Sequence, residues 1–293
     1  MSKKKLLTLS ITTLLFVAVI LTSTAIVTFA EGETTNVAKV GDTEYATMSE
    51  AVAAWTNGTT LTLLDNVTID ETIMISSTEH HILDLGVYTL TANGVDAFQY
   101  VVNGRTNAGV ALTIKADANN PGGITVTGSQ KAIVRHGGTI KDRACTKIEG
   151  GVFNAYYVFA HFVKKGFGTG TASSGTNSPQ LTITGGEFNG QILANRALIT
   201  ISGGTFNGDV NVSVDSSAYL LISGGRFKKL SNLFGSNLTP TDFSNGSLYK
   251  FTIGSAKGVF DRDVYIDNDG YYVVCESKPD VATHGYEAVT KKN

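Results

Sequence analysis

Ile148-Glu149-Gly150-Gly151-Val152-Phe153, Ile183-Thr184-Gly185-Gly186-Glu187-Phe188, Ile201-Ser202-Gly203-Gly204-Thr205-Phe206 and Ile222-Ser223-Gly224-Gly225-Arg226-Phe227 are four copies of one phrase, Ile-x-Gly-Gly-x-Phe. The last three copies are 18 and then 21 residues apart, and the first lies 35 residues before the second. A recurrence near 20 residues, strand-like and without a helical period, marks a coiled stack of β-strands. Alternate residues of a strand face opposite sides. Inward Ile148, Ile183, Ile201 and Ile222 therefore send their mostly polar neighbours outward. Gly-Gly supplies a corner with little room for a Cβ. Phe153, Phe188, Phe206 and Phe227 follow each corner at one position. Stacked one strand spacing apart, at ~4.8 Å, they form a ladder of rings inside the coil.

Upstream, Leu61 to Leu64, Val67 to Ile69, Ile73 to Ile75 and His81 to Leu85 are short apolar runs broken by Asn, Asp, Gly and Ser, as strands are. A sandwich also has many short strands, but it has no reason to repeat Gly-Gly at a fixed distance. The 35-residue interval reads as two near-regular coils, with the Gly-, Ser- and Thr-rich stretch 164–179 thrown out as a loop. Thr47-Met48-Ser49-Glu50 has the form of a capping box and Ala51 to Trp55 continues it as a short helix, a lid for the first coil. Beyond Phe227 the period is lost, and Val264 to Ile266 with Tyr271 to Cys275 read as a closing hairpin.

Lys3 to Lys5, the apolar run through Leu14 to Leu21 and the ending Thr28-Phe29-Ala30 are the three parts of a secretory signal. An uncleaved N-terminal anchor is the rival reading, and the Ala-ended boundary favours cleavage. Either way the bulk of the chain is placed outside the cytoplasm, secreted or at the cell surface. The organisation is thus a signal peptide over 1–30, a linker and N-terminal cap over 31–59, the coil stack over 60–230, and a C-terminal cap and tail over 231–293. The formal net charge is −2 and no basic block follows the leader, so nucleic acid is excluded as an expected partner, and a membrane enters only through an uncleaved N-terminal segment. Charged residues are 16% of the chain, well below the usual quarter, as suits an extracellular β protein with many tight turns. Two cysteines, Cys145 and Cys275, are too few for a disulfide framework; they either pair with each other or stand as separate thiols.

The Ile-x-Gly-Gly-x-Phe coils, the Tyr45-to-Val52 helix start and the Leu61-to-Thr68 strand together resemble the right-handed parallel β-helix domains of secreted bacterial surface proteins. The similarity covers about residues 37 to 230. It implies an all-β right-handed parallel β-helix, a solenoid with a short N-terminal capping helix and a C-terminal β cap. That pectate-lyase-like fold is shared by polysaccharide lyases, glycan hydrolases and adhesins, so the resemblance specifies the fold and not an activity.

Chemistry on such a fold needs clustered groups. Lyase catalysis implies acidic calcium ligands beside a basic residue, whereas Asp84, Asp142, Asp209 and Asp215 are scattered and read as surface charges. Asp261, Asp263, Asp267 and Asp269 depart from calcium-loop spacing, and a hairpin turn accounts for the densest part. No catalytic residues, metal ligands or cofactor are expected. One candidate ligand-binding cluster comes from aligning the coils on Gly-Gly. His161 and Arg196 share an offset, with Asp215 one place further along, and Tyr156, Gln191 and Asp209 fall in another column taken to face outward. An aromatic beside amide and charged groups is what carbohydrate binding asks for. The expected role is non-catalytic, structural or adhesive, in contact with polysaccharides or host and cell-surface glycans. The alternative is a polysaccharide lyase or glycoside hydrolase using the groove near His161 and Arg196.

Overall fold

The structure, a computed structural model, describes residues 35–101, 109–137, 144–162, 180–194, 198–212, 219–228, 249–253, 256–260, 263–267, 269–275 and 287–288. The leader, Arg196 and Asp215 lie outside these residues. The described chain is predominantly β, with one short helix and long sheets of mostly parallel strands, compatible with a β-helix-like solenoid.

Three ranks of strands build it. In the first rank Leu61 pairs with Leu83, Leu83 with Ile114, and Ile114, Ile148, Ile183, Ile201 and Ile222 follow in one parallel register. In the second rank Val67, Leu90, Ile124, Phe153, Phe188, Phe206 and Phe227 form another unbroken column. The third rank carries Ile73, Phe98, Val134, Phe159, Ile192 and Val210. All these residues are buried, whereas the neighbouring Thr182, Thr184, Ser202 and Thr68 are partly or fully exposed. The alternation expected from the Ile-x-Gly-Gly-x-Phe phrase holds in each described copy. The phenylalanine rings stack face to face, with centroids 5.1, 4.7 and 4.6 Å apart from Phe153 through Phe227.

The corner explains both glycines. Gly151, Gly186, Gly204 and Gly225 have φ between +98° and +120°, a region L side chains avoid. The first glycine of the pair is cramped instead. A Cβ on Gly185, Gly203 or Gly224 would lie 2.2–2.5 Å from a carbonyl oxygen of the coil beneath, namely that of Glu149, Thr184 or Ser202. Gly150 is the exception, with nothing nearer than 3.8 Å.

Two expectations are corrected by the register. Ile148 pairs directly with Ile183, so the 35-residue interval is a single coil, not two. The parallel order also continues one rung past the last copy, because the strand Ala256–Phe260 pairs with Tyr219 to Ile222. Elsewhere the expected pieces are found. The helix Met48–Ala54 starts at Thr47, whose side-chain oxygen accepts from the Glu50 N–H at 3.3 Å. The first edge is covered mainly by backbone, since Ala38–Val40 lies antiparallel on Thr60–Leu63 and pairs with Thr43–Tyr45. At the other end the hairpin of Asp263–Ile266 and Tyr272–Cys275 lays Tyr272 to Val274 antiparallel on Gly225 to Phe227. Cys145 is a free, buried thiol, which decides between the two readings of the cysteines; burial pushes its pKa up.

Under the N-terminal cap, Trp55 packs edge-on against His81 with ring centroids 5.0 Å apart. His81 Nε2 lies 3.2 Å from Glu79, and its buried Nδ1 has no hydrogen-bond partner. Burial pushes His81 below its ordinary pKa of 6.5, against the opposing pull of Glu79. A folded-state value below the unfolded one means that neutral His81 stabilises the cap above about pH 6.5, and that this contribution is lost as pH falls through the folded value.

Three outcomes follow. Trp55 is the only tryptophan, so its fluorescence between pH 7.5 and 5 should report loosening of the cap in the native chain and a flatter profile in His81→Phe; an unchanged profile in the variant would assign the effect elsewhere. Phe206→Ala should cost about 3–5 kcal/mol in chemical denaturation against under ~0.5 for Thr205→Ala. Gly203→Ala should cost about 2 kcal/mol or more, while Gly150→Ala stays within about 1 kcal/mol of neutral. Equal effects of the two glycine changes would sink the close-approach account of the corner.

Candidate functional site

The chain leaves the phenylalanine ladder through one more repeated step. Phe153, Phe188 and Phe206 are each followed by asparagine, then by a small residue, then by Tyr156, Gln191 or Asp209. The small residue is dictated by the corner: a Cβ on Gly190 would lie 2.2 Å from the Ala155 carbonyl oxygen, and one on Gly208 would lie 2.1 Å from that of Gly190. The asparagines therefore project at matching positions of successive coils, and they form a hydrogen-bonded ladder. Asn207 Nδ2 donates to Asn189 Oδ1 at 2.6 Å, and Asn189 Nδ2 donates to Asn154 Oδ1 at 2.9 Å. Asn207 also donates to Glu187 at 3.1 Å, and the Tyr271 hydroxyl donates to Asn207 Oδ1 at 2.7 Å.

Beside this ladder stand two tyrosines on one rung. The register pairs Tyr157 with Gln191 and then Phe159 with Ile192, so Val158 is an extra residue, a bulge. Tyr156 sits just before that pair, and its carbonyl accepts from the Gln191 N–H at 3.1 Å. Tyr156 is 44% exposed, and its ring meets Tyr157 edge to face at 4.6 Å. Burial raises the Tyr157 phenol above its ordinary range and neighbouring Tyr156 adds to this, against the opposing charge of Arg135, so the group stays a neutral donor and acceptor. Asp209 continues the line one coil on, its carbonyl accepting from the Ile192 N–H at 2.9 Å. Tyr156, Gln191 and Asp209 thus lie at one corner, but the expected column is out by one there, since Tyr157 and not Tyr156 is the rung partner of Gln191.

The other half of the cluster is placed differently. His161 pairs in the backbone ladder with His136 on one side and Ala194 on the other, not with Arg196. The alignment on Gly-Gly is out by two because the Tyr156 coil holds one extra residue before Tyr157 and a second at Val158. His136 is buried, its ring 4.1 Å from that of Tyr100 and 5.3 Å from that of Phe159. Arg196 and Asp215 lie outside the described residues.

The described arginines around the corner are tied up with carboxylates. Arg135 donates to both oxygens of buried Asp96, through Nη2 at 2.9 Å and Nε at 2.5 Å, and also to the Gln130 carbonyl. At the C-terminal hairpin Arg226 donates to Asp267 and Asp269 and lies 3.8 Å over the Tyr271 ring. Burial alone would raise Asp267, but the Arg226 hydrogen bond, the backbone N–H groups of Tyr271 and Asp269 and the guanidinium charge hold it below the usual carboxylate range. The hairpin turn thus employs the two acids, as their spacing suggested. Asp84 is paired with Lys115 at 3.0 Å. Among the described residues no three His, Cys, Asp or Glu side chains converge as metal ligands.

No protein-family model, curated protein or solved structure gives a significant match to this chain. The site is accordingly argued from its own residues. Sequence reading missed the asparagine ladder and Tyr157, although the signal for the ladder was present as an Asn after the Phe in three of four copies. Asn189→Ala should lower stability by about 1 kcal/mol through loss of two exposed ladder bonds, measured by denaturant midpoint. A cost above ~3 kcal/mol would show that the ladder is part of the core.

Proposed function

We propose that this chain is a secreted or cell-surface right-handed parallel β-helix protein with a non-catalytic structural or adhesive role, and that it contacts glycans through the Tyr156 corner. The hand of the coil rests on the strong preference of parallel β-crossovers for right-handed connections. The location rests on the signal-like leader. The observation that carries the binding reading is the exposed Tyr156 ring set edge-to-face on Tyr157, beside the Gln191 amide and the asparagine ladder. An apolar ring face next to fixed amide donors and acceptors suits a sugar, whose C–H face stacks while its hydroxyls pair.

The purified domain should retain immobilised glycans or cell-surface polymers without changing them. Tyr156→Ala and Gln191→Ala should each weaken retention severalfold while leaving the unfolding midpoint within about 0.5 kcal/mol of the parent. Release of unsaturated, ultraviolet-absorbing products from uronate polymers, or of new reducing ends from other glycans, would replace this reading with a lyase or a hydrolase.

A further inference from the structure

We infer that the ligand of this corner is an uncharged polysaccharide lying along the axis of the stack, across the rungs of the asparagine ladder. The inference rests on the glycan-contact reading above and specifies the polymer class and its direction.

The direction comes from the spacing. Asn154, Asn189 and Asn207 repeat on successive coils, one strand spacing of ~4.8 Å apart, so a contact made by Asn154 is offered again by Asn189 along the axis. Asn207, with both N–H groups given to Asn189 and Glu187, offers only a lone pair. The chemistry comes from what each rung has left over. An amide carries two N–H donors and two lone pairs. Asn189 uses one donor on Asn154 and one lone pair on Asn207, which leaves one of each at an exposed position. Asn154 gives one donor to Thr125 at 3.5 Å and accepts from Asn189, with the same remainder. A line of paired donor and acceptor positions fits a chain of hydroxyls, each of which both donates and accepts. The tyrosine pair stands at one end of this line as a stacking wall.

The absence of charge in the ligand follows from the electrostatics of the corner. Among the described residues, the arginines beside it are already held by carboxylates, Arg135 by Asp96 and Arg226 by Asp267 and Asp269. A guanidinium committed to a carboxylate in this two-pronged geometry has little left for a uronate or sulfate. Lys131 and Lys228 at the margins are matched in number by Glu187 and Asp209. Among the described residues a polyanion therefore meets no excess of positive charge, whereas a neutral chain has nothing to displace.

The experiment compares the full mature chain with soluble β-glucan, a mannan and polygalacturonate by isothermal titration or affinity electrophoresis, each at low and at high salt. A neutral polymer should bind with less than a twofold change between the two salts. Asn189→Ala and Asn154→Ala should each weaken it about fivefold, the loss of one hydrogen bond, with circular dichroism unchanged. Tyr156→Ala, which leaves the ladder intact, provides a second variant should an asparagine change unfold the corner. Binding confined to polygalacturonate and abolished by salt would overturn the uncharged class while leaving glycan contact standing. Binding of a neutral polymer untouched by both asparagine changes would overturn the ladder as its track. Retention of none of the three polymers, or of any glycan in the wider test, would remove the contact reading itself.

Discussion

Three successive coils of this protein each rest on the one below at a point of backbone contact. At Gly185, Gly203 and Gly224 the space that a Cβ would fill is taken by a carbonyl oxygen of the preceding coil, and the next residue must then adopt a positive φ. Only glycine meets either condition, and it meets them in adjacent positions. The bend is thereby held at the same place in successive coils. Once it is, the isoleucine before it and the phenylalanine after it must fall into columns. The near-parallel rings, tilted by 5° to 12° from one coil to the next, are a consequence of that alignment. Each ring contributes on the order of 1.5–3 kcal/mol through burial, and the stacking adds about 1. Those gains depend on the corner, because a shift of one residue would turn the whole column outward.

The same constraint explains what was legible from the amino-acid order. The lower half of the stack announces itself because its corner needs Gly-Gly, and the pair recurs beside its Ile and Phe. In the upper half Leu61, Leu83 and Ile114 continue the isoleucine column, and Val67, Leu90 and Ile124 continue the phenylalanine column. Their links differ in length and composition, so nothing in the sequence aligned them. Coil length was similarly hidden. A 35-residue interval permits one long coil or two short ones, and only the pairing of Ile148 with Ile183 distinguishes them. At the candidate site, counting from Gly-Gly works as far as the phenylalanine and then fails, because one extra residue before Tyr157 and a second at Val158 shift the later positions of that coil. Tyr157, not Tyr156, therefore shares a rung with Gln191, and the rung neighbour of His161 is Ala194.

A stack of parallel strands has two open edges, each a template for unwanted pairing. Part of each is covered here by a strand running the other way. Ala38–Val40 covers the first rung, and Tyr272–Cys275 covers the Gly-Gly-x-Phe half of the last. Reversal at an edge stops the repeat, since an antiparallel strand does not present the register that another coil would need. Side chains then seal each end by different means. Trp55 over neutral His81 closes the first with an aromatic contact, and Arg226 between Asp267 and Asp269 closes the second with charge.

The second closure reaches the candidate site. The Tyr271 hydroxyl, on the same turn that holds Arg226, donates to Asn207 Oδ1. With its oxygen turned to the hairpin, Asn207 presents its nitrogen to Asn189, which must in turn point its own nitrogen at Asn154. The Glu187 carboxylate, which can only accept, takes the other Asn207 N–H and so fixes which end of that amide is nitrogen, with the Tyr271 hydroxyl meeting the oxygen. Every amide in the ladder is thereby oriented the same way, and hydrogen bonds in such a chain polarise one another. The terminal hairpin is for that reason more than an edge cover, since its tyrosine completes the end of the ladder whose orientation sets which atom of each rung a bound molecule would meet.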